Sequence, residues 1–187
     1  MKISRTGSGI FNLKFLKLRQ ELFFWTDSMT RSELLSLNDE ELIKQCLIDF
    51  FKATGPGGQK KNKTESAVRL TLKESSITAS ASEERQQSVN RSRALKRLRL
   101  QIAFEMREPA VNWDGQWNMN PKNSDYPAFA ACLLDNLIEH SWQVSTAAAN
   151  LGISTGQLIK LLAKDDTLWQ FVNKERQKAG HKVLKKN

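Results

Sequence analysis

Gly55-Pro56-Gly57-Gly58-Gln59, followed by Lys60, Lys61, Asn62, Lys63 and Thr64, is the stretch of this 187-residue chain whose residue types point most directly at chemistry. Adjacent glycines let the backbone take positive φ and approach a substrate with no Cβ in the way. The proline before them stiffens the approach. Such a loop can aim bare backbone N–H groups at an oxyanion or hold a water in place, and the lysines beside it attract phosphate. The spacing excludes a P-loop, which needs GxxxxGK[ST]. No His, Asp or Cys is placed with it as a side-chain triad, so electrostatic positioning would have to do the work.

The elements on either side read as a small α+β unit. Asn38 or Asp39 is placed to cap a short turn, and the β-rich Leu47–Phe51 run reads as a strand ending near Ala53. Ala67-Val68-Arg69-Leu70-Thr71-Leu72 alternates as a strand does, Lys73–Ser76 turns, and Ile77–Ser82 returns. From Glu84 to about Arg107 the period becomes helical, with Leu95, Leu98, Ile102 and Met106 on one stripe. Pro109 stops it.

Three separated blocks now agree in order and spacing: Gly55–Gln59, then Asn62-Lys63-Thr64-Glu65-Ser66-Ala67-Val68-Arg69-Leu70, then Glu84-Arg85-Gln86-Gln87 with Asn90-Arg91. Over about residues 38–107 the chain resembles the catalytic domain of class I peptide chain release factors, which stalled-ribosome rescue hydrolases share. The resemblance implies hydrolysis of the peptidyl-tRNA ester in the ribosomal peptidyl transferase centre, without metal or organic cofactor. It implies that Gly57 and Gly58 permit the loop conformation. It also implies that the Gln59 N–H stabilises the transition state or product, while the Gln59 side chain favours water over larger nucleophiles. Gln59 is also the position that a methyltransferase modifies in the family. Where the family has His or Asn and then Val, this chain has Lys60 and Lys61. The large domains that read a stop codon have no counterpart in these residues, so the expectation is a stop-codon-independent rescue factor. The competing expectation is a non-catalytic ribosome- or nucleic-acid-binding regulator.

Charge supports a polyanionic partner. The net charge is +9, with 29 Lys and Arg against 20 Asp and Glu. Residues 52–107 carry +8 and residues 167–187 carry +5, with acidic stretches on either side of the central block. The expected RNA-binding residues are Lys60, Lys61, Lys63, Arg69, Arg85, Arg91, Arg93 and Lys96. A C-terminal group, Lys174, Arg176, Lys178, Lys182, Lys185 and Lys186, joins them. Their partners would be large-subunit rRNA, the mRNA channel and peptidyl-tRNA.

Residues 1–32 read as an N-terminal extension ahead of a catalytic domain at 33–107. Their basic bias resembles a transit peptide, and Met29 is an alternative start. Residues 108–127, rich in Pro, Asn and Trp, read as a linker in which Trp113 and Trp117 anchor to a domain. Residues 128–168 then read as a small all-α module. A helix runs from Ala128 to Trp142, Ser145 caps a second over Thr146–Leu151, and Gly152 turns the chain into a third. Trp142, Ala147, Ala148, Leu151, Gly152, Ile153, Leu158 and Leu161 resemble a bacterial helix-turn-helix of the factor-for-inversion-stimulation type. Its recognition helix, Thr155–Ala163, offers only Lys160 and Gln157 to bases, which favours packing or ribosome docking over DNA readout. Residues 169–187 read as a helix fraying into a basic C-terminal tail.

No stretch is long and apolar enough to span a membrane. Cys46 and Cys132 have no CxxC partner, which speaks against a disulfide scaffold or zinc site. His140 and His181 stand alone, so no metal site is expected. The expectation is a cytoplasmic monomer, an organelle matrix being the less favoured location.

Overall fold

The computed structural model describes residues 29–52 and 65–186. It is mixed α+β. Helix α1 (Arg31–Ser36) and helix α2 (Asp39–Lys44) precede strand β1 (Cys46–Phe51). Each of the two helices starts at a reciprocal cap: Thr30 with Glu33, and Asn38 with Glu41. Asn38 is thus the cap and Asp39 the first helical residue. Helix α1 lies partly within the expected extension. Met29 packs on the sheet core, and Arg31 is buried.

Strands β2 (Ala67–Leu72) and β3 (Thr78–Ala81) complete an antiparallel sheet of order β1-β2-β3. Its register pairs Cys46 with Leu72 and Val68 with Ala81. Helix α3 (Gln87–Glu105) lies across the sheet. Leu95, Leu98 and Ile102 meet Val68, Leu70, Ala79 and Ala81 there. Met106, expected on this stripe, is instead the C-cap and half-buried.

Beyond α3 come α4 (Tyr126–Glu139), α5 (Val144–Asn150), α6 (Thr155–Leu162) and α7 (Asp166–Lys178). They share a second core of Phe129, Leu133, Leu137, Ala147, Leu158, Leu162, Leu168 and Val172. Ala103 and Phe104, in the last turn of α3, belong to this second core, and the Phe104 ring stacks on Phe171 at 5.2 Å. Residues 108–125 hold no helix or strand, yet they are packed down. Trp113 and Trp117 meet Phe129 edge-on, and Met119 is buried. Aromatic burial holds a segment whose prolines and asparagines give it no regular hydrogen-bonding ladder.

Helix α3 is shorter than the expected span from Glu84 to about Arg107, and helix boundaries beyond it also differ from the sequence reading. Helix α4 starts at Tyr126, with Pro127 in its first turn, where a missing N–H costs nothing. It ends at Glu139, because Ser141 (φ +52°) and Trp142 (φ +64°) turn left-handed. Helix α5 begins at Val144 after Gln143, without a side-chain cap, so Ser145 lies inside it. Ser154 does cap α6, and Gly152 (φ +69°) makes the turn between them.

The expected C-terminal helix is α7, over 166–178, because Leu168 and Val172 find the second core, but the residues after it do not trail off as a tail. The chain then doubles back along this helix. Leu184 N–H donates to Asn173 Oδ1 (2.7 Å), and Lys186 reaches Asp166 (2.6 Å). No described helix is long and apolar enough to cross a membrane.

Candidate functional site

The last sheet pair between β1 and β2 is Phe51 with Ala67, so residues 52–66 connect two paired strands. Gly57, Gly58, Gln59, Lys60, Lys61 and Lys63 fall in this connection and lie outside the described residues. Its downstream root is described, and two side chains of α3 pin it.

Asn90 is fully buried at the fourth position of α3. Its Nδ2 donates to Ser66 O (2.7 Å) and Glu84 O (2.9 Å), and its Oδ1 accepts from Glu84 N–H (3.0 Å). Gln87 Nε2 donates to Glu65 O at 3.0 Å. An amide offers two donors and an acceptor oxygen, and Asn90 uses both kinds on backbone that no sheet partner satisfies. Sequence reading noticed Gln87 and Asn90 only as parts of a resemblance. A polar residue among the apolar positions of α3 was the available signal.

The expected RNA-binding residues divide by how much of their charge the fold consumes. Arg69 stands on the outer face of the sheet, 3.5 Å from Asp49 and over the Phe51 ring at 4.9 Å. Arg93 pairs with Glu84 (2.6 Å), and the adjacent Arg97 pairs with Glu83 (2.8 Å). Burial alone would raise Glu83, but the Arg97 guanidinium holds its carboxyl below the usual range. Arg85 and Lys96 are exposed. Arg91 lines a groove of about 430 Å³ with Ile43, Phe50 and Leu95. Arg99, on the same basic helix, serves the fold instead. It donates to Leu35 O and Leu37 O and pairs with Asp39, tying down the end of α1.

Arg176 does not join the exposed cations. It is buried, with Nη1 on Trp142 O and Nη2 on Lys182 O, so its guanidinium is spent on the left-handed corner and the returning chain. Lys178 pairs with Glu175, and Lys186 pairs with Asp166. Lys174, Lys182 and Lys185 are exposed.

A larger cleft of about 1060 Å³ opens between α1 and residues 108–128. Of the charges on its wall, Arg31, Arg99 and Glu108 are engaged in ion pairs within the fold. Arg31 bridges Asp135 (2.6 Å) and Glu108 (3.1 Å), and Arg107 closes on Asp135 from the other side at 3.4 Å. Cys46 and Cys132 are buried free thiols; burial pushes Cys132 up to about 11, leaving it unreactive. His140 and His181 each bond a backbone carbonyl.

Residues 35–120 match the family model described as the RF-1 domain. Relatives named peptide chain release factor 1 align with parts of the chain. That of Chlorobaculum tepidum is 46% identical over 78 residues, covering 38% of this chain and 22% of the relative. That of Caldicellulosiruptor saccharolyticus is 53% identical over 55 residues, covering 29% of this chain and 16% of the relative. That of Acidiphilium cryptum is 48% identical over 64 residues, covering 34% and 18%. The chain thus spans less than a quarter of the length of these relatives. No solved structure matches. These similarities support a class I release-factor catalytic domain at the segment holding the sheet, α3 and the connection.

Proposed function

We propose that this protein hydrolyses the peptidyl-tRNA ester in the peptidyl transferase centre of stalled ribosomes, independently of a stop codon. One coincidence carries the reading. Release-factor similarity spans the same residues as a connection between β1 and β2 that contains Gly57-Gly58-Gln59 and is pinned at its root by Asn90 and Gln87. On this reading the loop's backbone supplies oriented donors, with Gln59 excluding larger nucleophiles, and Arg85, Arg91 and Lys96 meet rRNA phosphates. Helices α5 and α6 act as a packing or docking module, since α6 offers few side chains suited to reading bases. The protein works as a cytoplasmic monomer, with Gln59 open to methylation.

Peptide release from ribosomes holding peptidyl-tRNA on an mRNA without a stop codon tests this. Wild type should release and Gly58→Ala should lose about 10²–10³ in rate, the usual cost of spoiling preorganised donors. Ribosome binding with no release by the wild-type protein would instead favour the non-catalytic regulator.

A further inference from the structure

We propose that residues 181–186 and helix α7 form a folded, two-rowed basic ridge that grips an RNA sugar-phosphate backbone, and that the docked form of this segment is the one that binds.

The returning segment is held along its length, starting at His181, whose N–H donates to Arg176 O (2.8 Å). Lys182 O accepts from the buried Arg176, and Leu184 N–H donates to Asn173. The Leu184 side chain packs on the second core. Lys186 pairs with Asp166 and lies 5.7 Å from the Trp169 ring centre. Positions 166, 169, 173 and 176 recur at helical spacing, so the segment lies along one stripe of α7. At about 100° per residue, Lys174 and Lys178 fall on the opposite flank. The exposed Gln170 and Gln177 lie between the rows. The result is a strip of amides edged by Lys174 and Lys178 on one side and Lys182 and Lys185 on the other. The rows are roughly one helix diameter, about 10 Å, apart.

The acids on α7 are already used: Asp166 by Lys186 and Glu175 by Lys178. Lys174, Lys182 and Lys185 have no acidic partner among the described residues. Point cations beside amide donors suit phosphate oxygens, with ribose hydroxyls within reach of the glutamines. A free chain of lysines would lose its conformational entropy on binding, whereas a docked one has lost it already. The choice of RNA rests on the ribosome reading above; the ridge itself rests on its own contacts.

Binding of a fluorescein-labelled poly(U) RNA, measured by anisotropy across salt, tests the proposal apart from peptide release. Lys182→Ala/Lys185→Ala should weaken binding several-fold and shallow the logarithmic salt slope by about 1.4, two single-strand contacts' worth. Asn173→Ala/Leu184→Gly removes a hydrogen bond and an apolar anchor but no charge. It should speed hydrogen exchange at the residue-184 amide and weaken RNA binding several-fold with every lysine present. Equal or tighter binding once that amide exchanges freely would mean that a released tail is the ligand-binding form, overturning the proposal. Unchanged exchange in that variant would overturn the clasp, and unchanged binding in the lysine variant would overturn the ridge. Poly(U) binding is read without any peptide release, so failure of the hydrolysis reading and failure of the ridge are told apart.

Discussion

Asn90 Nδ2 lies 2.7 Å from the carbonyl oxygen of Ser66, one residue before β2 begins. A fully buried side chain of α3 therefore fixes where the chain re-enters the sheet after residues 53–64. The helix that builds the core also holds the described end of the connection in which Gly57-Gly58-Gln59 fall.

Replacing Asn90 by Ala leaves one buried and two half-buried backbone groups without this partner. At about 1 kcal/mol or more each, the loss should be about 2–4 kcal/mol in urea denaturation. Gln87→Ala, on the exposed side of the same root, should cost no more than about 1 kcal/mol. Equal effects for the two would show that burial of the Asn90 amide is not what matters.

Asp135 is held between Arg31 and Arg107, with its side chain 1% exposed. Burial raises its pKa against the opposing pull of the two guanidiniums. Asp135→Ala leaves two cations facing each other across a closed space. Thermal melting should report a loss of about 3–5 kcal/mol, as for other broken buried pairs. A concurrent Arg31→Met should recover part of it.

Glu108 responds to pH in the opposite sense. Burial would raise it, but the Ser32 hydroxyl and N–H and the Arg31 guanidinium together hold it below its usual 4.5. A carboxyl whose folded-state pKa is depressed contributes stability above its unfolded value and loses it as pH falls through the folded one. Glu108→Gln should therefore cost about 1 kcal/mol at neutral pH, and progressively less as pH falls below the usual carboxylate range. A difference that persists in acid would contradict this assignment.

Gly152 and Gly156 should behave oppositely when changed to Ala. Both have open space where a Cβ would stand, but Gly152 sits at φ +69°, whereas Gly156 lies within α6. Gly152→Ala should destabilise by about 1 kcal/mol, and Gly156→Ala should stabilise by about 0.4–1 kcal/mol. Melting temperatures of the two variants give the comparison directly.

Much of the sheet unit was legible in the sequence, because each signal was local. Alternation marked β2 and β3, the Asn38-Asp39 pair marked a cap without saying which of the two it was, and the stripe through Leu95, Leu98 and Ile102 marked α3. Long-range partners hid the rest. Arg99 and Arg176 look like any basic surface residue until carbonyls from distant segments close on them. Tyr126 and Pro127 look like linker until Phe129 buries the same turn. The root contacts of Asn90 are equally invisible to periodicity. Gly57, Gly58 and Gln59 were singled out by type, spacing and the resemblance together, and they lie outside the described residues.

Helix α3 gives its earlier turns to one core and Ala103 and Phe104 to the other. A cut after residue 107 would strip Phe104 of Phe171 and strand Arg31 without Asp135. The two halves therefore form a single cooperative unit, and dissecting out a minimal release-factor-like fragment requires redesigning the end of that helix. Grafting the helical half onto another protein carries the same demand, because the surface exposed at the seam is a hydrophobic plug and a buried acid.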